Sequence, residues 1–395
     1  MADQRLQKDS PALLLVANYR PDVGFAWWLM ESFWVQCAHV ARDLGWRTIL
    51  VYPEPGVVPA AIRSAPIQVE FLDFPGASTG NRFEAMRFVR HHNVRAIYYT
   101  DRAYTAVSHA LMRLAGVRTI VVHDHTPGDR PPVLGSRGLA KDVLRRLPLV
   151  NAFAQLCVSP LISRRAVENA RIPSRRVITV QNGIAPVPAI ADRVAIRQAA
   201  GLPVEATVCI TASRAHPYKR IDFIIAVARR IVVERGRRDV VFAFCGDGPA
   251  LAELQELARS EGVAESFLFL GRRSDVPALL RASDFALHPS QGEAFSLAIV
   301  EYMGAGLPAI LPDIPTVCQA ITDGEEGIVY RDGDIEAAAA AVLALADNAE
   351  QRRRMGRAAE ARVARDYSLS DTHARLRAVI AAAIQDQSLA PFSAN

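Results

Sequence analysis

Short runs of apolar, often β-branched residues alternate with longer amphipathic runs from one end of the chain to the other. Residues 13–17 (LLLVA) read as a strand and 26–44 as a helix closed by Gly45. Strands are predicted at 48–52 and 69–72, a helix at 82–92, and strands at 96–100, 119–122 and 155–158. Brief, wholly apolar runs of this kind belong to strands covered on both faces of a parallel sheet. Their alternation with helices predicts a doubly wound α/β fold.

The pattern breaks over residues 182–193 (NGIAPVPAIADR), where Gly183, Pro186 and Pro188 interrupt any periodicity. It restarts with a strand at 208–211, a helix at 222–235, a strand at 240–245 and a helix at 251–260. Strands at 267–270 and 285–288 follow, and the last helical runs, 349–365 and 370–384, have no strand between them. Two doubly wound halves joined through a proline-bearing hinge are expected, and 395 residues suit two ordinary domains. Ligands of open parallel sheets bind beyond the carboxyl ends of the strands, so the expected active site is a cleft between the two halves.

Composition narrows the classes. Half of the residues are hydrophobic and 22% are charged, a globular balance. A net charge of +5 is compatible with an anionic substrate or an acidic membrane surface, and is too small and dispersed to indicate nucleic acid. Cys37, Cys157, Cys209, Cys245 and Cys318 are far apart and mostly within apolar runs, which predicts buried free thiols in a reducing compartment. Residues 1–10 are polar, 13–17 is too short for a signal core, and no run reaches about 18 apolar residues. The expectation is a cytoplasmic protein, with a peripheral place on the inner face of the cytoplasmic membrane left open.

Candidate chemistry gathers after residues 285–288. The strand end runs through Pro289-Ser290-Gln291-Gly292 to Glu293, and a helix is expected to begin near Ser296. A helix start after a strand presents free N–H groups and a positive dipole end, which suits a phosphate. Eight positions beyond Glu293, Glu301 stands among Ala298, Ile299, Val300 and Met303. A carboxylate there is costly to bury without partners, and a ribose diol would supply them. The plainer alternative is a dipole-favoured Glu293 with a solvent-facing Glu301.

The segment HPSQGEAFSLAIVEYMGAGLPAILPD, residues 288–313, resembles the donor-binding segment of the retaining glycosyltransferases of family 4, which have the two-domain GT-B fold. Upstream, Arg214 and Lys219 in SRAHPYKRID resemble the family's strand-end Arg…Lys motif. Cys245-Gly246-Asp247-Gly248-Pro249 matches its GDGP element, and Gly271-Arg272 with Asp275-Val276-Pro277 its next stretch. Residues 177–184 (VITVQNGI) match its interdomain turn, so the likeness runs from about Val177 to Asp347.

The resemblance implies two Rossmann-like domains facing across a cleft. Residues 1–184 would bind the acceptor and 185–367 the nucleotide sugar, while 368–395 would form a helix and tail packed on the N-terminal domain. Glu301 would hold ribose hydroxyls, Glu293 the donor sugar, and the backbone at Ala294, Phe295, Ser296 and Leu297 the diphosphate; Gly246 and Arg272 would join the donor site. Arg214 and Lys219 would neutralise the departing phosphate, a role for which a planar fork and a point charge are suited. No cofactor or metal is implied. The substrate is a nucleoside-diphosphate sugar, with uridine or guanosine as the expected nucleoside, and the acceptor is a glycan or lipid-linked sugar of envelope or exopolysaccharide synthesis.

The N-terminal half resembles the family less. Gly24 follows the first strand where the family places glycine for ligand approach, but Phe25-Ala26-Trp27-Trp28 stand in place of a second glycine. The tryptophans could stack on a sugar or pack in the core. His123, with His125 as a second choice, matches the histidine that reaches the donor sugar, while the His-Asp-His step lacks an evident third ligand for a metal. Residues 136–150 (SRGLAKDVLRRLPLV) set Leu139, Val143, Leu144 and Leu147 on one face with Arg137, Lys141, Arg145 and Arg146 around it. Such a helix can lie on an anionic membrane or simply pack on its sheet.

Departures from the family pattern are local. Glu293-Ala294-Phe295-Ser296 replaces EGFG, and neutral Gln319 stands where a glutamate is usual. A nicotinamide-dependent oxidoreductase would need GxGxxG after a strand, which is absent. A non-catalytic, transferase-like sugar-binding or scaffold subunit is the other class to weigh, and activity of the isolated protein separates it from an enzyme.

Overall fold

The computed structural model describes residues 10–21, 27–74, 82–127, 131–132, 135–145 and 147–392. They form two units. The first runs up to Thr126, resumes before Gln181 and returns from Asp371 onward; the second spans Asn182–Ser370.

The first unit is built on seven strands: β1 Ala12–Val16, β2 Arg47–Tyr52, β3 Gln68–Phe71, β4 Val94–Thr100, β5 Thr119–Asp124, β6 Ala154–Cys157 and β7 Val177–Thr179. All pair in parallel, in the order β3-β2-β1-β4-β5-β6-β7. Every residue of β1, β5 and β6 is buried, as the unbroken apolar runs require. The C-terminal helix Leu369–Ile384 closes this unit by packing on the helix Trp28–Asp43. Its Leu376, Val379, Ile380 and Ala383 are buried, His373 Nε2 lies 2.9 Å from the Ser32 hydroxyl, and Arg377 reaches Asp43 at 3.4 Å.

The second unit carries six parallel strands: β8 Thr207–Ala212, β9 Val240–Cys245, β10 Phe267–Gly271, β11 Phe285–Leu287, β12 Ala309–Pro312 and β13 Gly327–Tyr330. Their order is β10-β9-β8-β11-β12-β13. Both sheets are therefore Rossmann-like. The strand order reverses between β1 and β4 in one and between β8 and β11 in the other, and a crevice at such a reversal is where these sheets bind ligands.

Three short strands lay outside the sequence expectation. β7 has three residues, β12 is bracketed by Pro308 and Pro312, and β13 begins on Gly327. Proline and glycine signal turns, and here pairing to a central sheet overrides that signal. All five cysteines are free; Cys318 is half-buried and the others are buried.

The chain enters the second unit at Asn182-Gly183-Ile184 and leaves it at Tyr367-Ser368-Leu369, and these two passages are hydrogen-bonded together. The Ile184 N–H donates to the Tyr367 carbonyl at 2.9 Å, and the Leu369 N–H donates to the Ile184 carbonyl at 3.0 Å. A Cβ on Gly183 would stand 2.6 Å from the Tyr367 carbonyl oxygen and 2.7 Å from the Ser368 carbonyl carbon. Only glycine allows that approach without displacing backbone. Gly183→Ala is expected to cost about 1–3 kcal/mol, the range of overpacked sites; an unchanged thermal midpoint would show that the passages can separate freely.

Candidate functional site

At the reversal in the second sheet, the segment after β8 meets the segment after β11. The first runs from Ser213 through the tight turn Pro217–Lys219 into the helix Ile221–Arg229. Between turn and helix Arg220 adopts φ 55°, a left-handed conformation that costs a non-glycine residue about 1–2 kcal/mol. The second segment crosses from β11 to the helix Leu297–Gly304. The two are stitched by Tyr218, whose carbonyl accepts the Gln291 N–H at 2.9 Å.

Lys219 and Glu293 form an ion pair here, Nζ to Oε1, with side chains only 11% and 12% exposed. The Glu293 carboxylate also receives His288 Nε2 at 3.2 Å. Burial works to raise the pKa of Glu293, but Lys219 and His288 together overcome it and hold the carboxyl down at about 2. His288 is pushed below its ordinary value, first by burial and then by Lys219, so it is neutral at pH 7. A carboxylate only accepts hydrogen bonds, which places the single imidazole proton on Nε2 and leaves Nδ1 as an acceptor. Tyr302 OH lies 3.3 Å from that Nδ1, takes the Ala212 N–H at 2.8 Å and donates to the Ala212 carbonyl at 3.0 Å. A continuous polar chain thus joins the Pro217–Lys219 turn, the ends of β8 and β11, and the helix Leu297–Gly304.

Ala294, Phe295 and Ser296 are buried and lead into that helix, and the Ser296 side chain makes no cap bond. The first N–H groups of any helix lack partners within it. Glu301, on the helix's second turn, is partly buried, and burial alone raises its pKa to about 7. Gln319 donates from its amide nitrogen to the carbonyls of Ala294 at 3.0 Å and Thr316 at 2.8 Å. A glutamate in that position could donate to neither carbonyl, so this departure from the family pattern braces the Glu293–Ser296 backbone from behind.

The structure brings together Lys219, Glu293, Ala294, Phe295, Ser296, Leu297 and Glu301 on adjoining turns. Arg214 lies on the same β8 loop but is exposed, and among the described residues its side chain reaches the Tyr218 hydroxyl, at 3.3 Å. Gly246 sits behind that loop. A Cβ there would fall 1.8 Å from the Ser213 carbonyl oxygen, so this glycine lets the β9 end lie against the loop that presents Arg214. Arg272 is exposed just after β10, the edge strand, two strands from the reversal.

In the first unit His123 is the penultimate residue of β5 and fully buried, its Nδ1 bonded to the Tyr98 hydroxyl and its ring 5.3 Å from Phe33 and 4.2 Å from His125. Burial holds it neutral, and its Nε2 has no partner among the described residues. His125 is less buried, with its N–H on Asp101 at 2.6 Å. Trp27 stacks on Tyr19 at 3.9 Å. Gly24 lies outside the described residues. Among the described residues no group of three His, Cys, Asp or Glu side chains could hold a metal.

His288 and Tyr302 carried no role in the sequence reading. Both stood next to flagged residues, His288 before the Pro-Ser strand end and Tyr302 after Glu301, but only the fold puts them in line behind Glu293.

Residues 192–362 match the family model described as glycosyl transferases group 1. The chain is 31% identical over 206 residues, 51% of its length and 53% of the other's, to a putative glycosyltransferase, EpsF, of Bacillus subtilis (strain 168). It spans about half the length of the first curated relatives it matches. Among solved structures it is similar to a glycosyltransferase from Rickettsia africae ESF-5, with a TM-score of 0.77, 16% identity, and 96% and 100% of the two chains covered. It is also similar to Anabaena Alr3699/HepE in complex with UDP-glucose, with a TM-score of 0.72, 19% identity, and 94% and 100% coverage. At these identities the likeness establishes the fold, GT-B, and no more.

Glu293 and Lys219 stabilise each other, which gives a test. Glu293 has its pKa depressed by folding, so its contribution is present above about pH 4.5 and is lost as pH falls toward about 2. Lys219→Met strands the buried carboxylate and is expected to cost about 3–5 kcal/mol, most of it recovered on adding Glu293→Gln. Urea unfolding at neutral pH reads both, and a double variant no more stable than the single would refute the coupling.

Proposed function

We propose, for a chain that belongs to the group 1 glycosyltransferases through residues 192–362, that it moves a sugar from a nucleoside-diphosphate sugar to a glycan or lipid-linked acceptor with retention at the anomeric carbon. The observation that carries this reading is the buried Lys219–Glu293 pair at the strand-order reversal, beside a helix start with free N–H groups. The cation and the N–H groups suit a diphosphate; the carboxylate suits sugar hydroxyls. Glu301, two turns along, accepts from the ribose diol.

In this scheme the bond from the anomeric carbon to the phosphate oxygen breaks while the acceptor oxygen bonds to the same carbon on the same face. The acceptor's proton passes to the departing phosphate oxygen. No side chain acts as nucleophile or base, so Arg214, Lys219 and the N–H groups at Ala294–Leu297 act by stabilising negative charge. Because they supply positive charge in place, the reading needs no metal. His123, held neutral by burial, is kept as a proposed contact to the donor sugar.

The uridine nucleotide is the first probe, since the similar Anabaena protein was solved with UDP-glucose. Exopolysaccharide or envelope synthesis is the expected setting. The helix Gly135–Arg145 and the turn after it leave Leu139, Val143, Leu144 and Leu147 between 43% and 67% exposed, which favours membrane contact over packing on the sheet. No helix of the described residues is long and apolar enough to cross a membrane, and the contact proposed is peripheral, at the cytoplasmic face.

Uridine diphosphate is expected to raise the thermal midpoint by several degrees in the wild type and not in Lys219→Ala. If uridine, guanosine and adenosine diphosphates all fail to shift the wild type, the donor site is wrong. Glu301 adds a pH signature. Its pKa is raised by folding, so the apo protein loses stability as pH rises from about 4.5 through about 7. Diol binding favours the carboxylate, so uridine diphosphate should release protons from the wild type near pH 7 and measurably fewer from Glu301→Gln. Calorimetry in buffers of different ionisation enthalpy makes the comparison, and equal release would remove Glu301 from the site.

A further inference from the structure

The approach to the helix Leu297–Gly304 is held by groups that the donor reading does not use. Gln319 follows the short helix Pro315–Cys318. Its amide nitrogen donates twice, to the Thr316 carbonyl at 2.8 Å and to the Ala294 carbonyl at 3.0 Å. Carbonyl oxygens only accept, so the amide cannot be turned over, and both of its protons are committed. The bond to Thr316, three residues back on the same turn, fixes the side chain, and the second proton then has one place to go.

The same stretch is held from another side. The Phe295 ring is buried and lies 5.3 Å from the ring of Tyr367. The Tyr367 hydroxyl donates to the carbonyl of Ala320, the residue after Gln319, at 3.5 Å. Tyr367 is fixed in turn, since its own carbonyl accepts the Ile184 N–H. Gln319 and Tyr367 thus grip the peptide between Ala294 and Phe295, one at its carbonyl and the other at the side chain that follows.

A trans peptide is planar, with its C=O and N–H on opposite sides. A grip on the Ala294 carbonyl therefore points the Phe295 N–H away from Gln319, and among the described residues no backbone carbonyl accepts from it. That N–H stands two residues beyond Glu293 and its partner Lys219. We propose that Gln319 is a positioning residue: by holding the Ala294 carbonyl it aims the Phe295 N–H at an oxygen of the donor's diphosphate. This rests on the donor site proposed above and adds to it the group that sets the angle of one of its donors. An ionised carboxylate at position 319 would undo the aim, because it donates to neither carbonyl and repels both.

The test compares the full chain with Gln319→Met, close in size and without a donor, and with Gln319→Glu, close in shape and acceptor-only at neutral pH. By calorimetry, Gln319→Met should bind uridine diphosphate about fivefold more weakly, the worth of one ordinary hydrogen bond, and Gln319→Glu about twentyfold more weakly. Uridine, followed by saturation-transfer NMR, should bind all three proteins alike. The pH profile separates aim from packing. A protonated carboxyl can donate again, so the deficit of Gln319→Glu should shrink as pH falls from about 7.5 to about 5, while that of Gln319→Met stays constant. Glu293, Lys219, His288, Glu301, Asp313 and the Cys318 thiol are charged or titratable groups about this turn. All three proteins share them, so the ratio to wild type at each pH isolates position 319. Equal losses of uridine and uridine diphosphate, or a Gln319→Glu deficit that ignores pH, would make Gln319 a packing residue and overturn the proposal. Wild-type affinity in both variants would overturn it too. If Gln319→Glu fails to fold, Gln319→Met against uridine and its diphosphate carries the comparison. A wild type that binds none of the three nucleoside diphosphates would sink the donor site and Gln319 with it, whereas wild-type binding with unaffected variants removes Gln319 alone.

Discussion

A carboxylate buried to the depth of Glu293 survives ionised only because Lys219 and His288 attend it. Everything else at the site follows from that requirement. His288 must keep its proton on the nitrogen facing the carboxylate, and its other nitrogen lies 3.3 Å from the Tyr302 hydroxyl. Tyr302 is in turn tied to both backbone groups of Ala212, at the end of β8. One charge thereby dictates the relative position of two strand ends, a turn and a helix. The left-handed Arg220 is held in the same arrangement, because the turn it ends has to aim Lys219 back at the sheet.

The pairing also shapes how a ligand is received. Lys219 and Glu293 already satisfy each other, so under the proposed function a diphosphate would not meet a bare cation but would join an existing network and share its charge. The cost of dehydrating both side chains is carried by the folded protein, and little reorganisation remains when the ligand arrives. Glu301 is the opposite case. Among the described residues no partner offsets its burial, and a neutral or half-ionised carboxyl near pH 7 is the result. Two carboxylates on one short helix and its entry loop are thus held in different protonation states by what surrounds them, the pattern by which one site can treat two kinds of hydroxyl differently.

Much of this was legible in the residues. The long central strands declared themselves by unbroken apolar runs such as residues 13–17 and 240–245, and the resemblance of residues 177–347 pointed to the loops after β8 and β11, which the fold brings together. What stayed hidden has a common cause. β7, β12 and β13 are too short or too rich in proline and glycine to carry a period of their own, and they exist because a neighbouring strand offers hydrogen bonds. His288 and Tyr302 act through tertiary contacts that no spacing encodes. Gly246 was read for the donor site, and its residue type alone did not show that it also lets the end of β9 lie against the Ser213 backbone. Gln319 looked like a lost charge, and only the carbonyls it faces explain why an amide stands there.

The paired passages at Ile184 and Tyr367–Leu369 make the second unit an insertion within the first. The helix that seals the first sheet, with Leu376 and Ile380 in its core, follows the whole of the second unit along the chain. During synthesis the second unit has its whole sequence available, and can fold, while the first still lacks a wall. The face of the helix Trp28–Asp43 that carries Ser32, Gln36 and Asp43 therefore waits for its partner while the chain from Leu44 up to Leu369, more than three hundred residues, is translated.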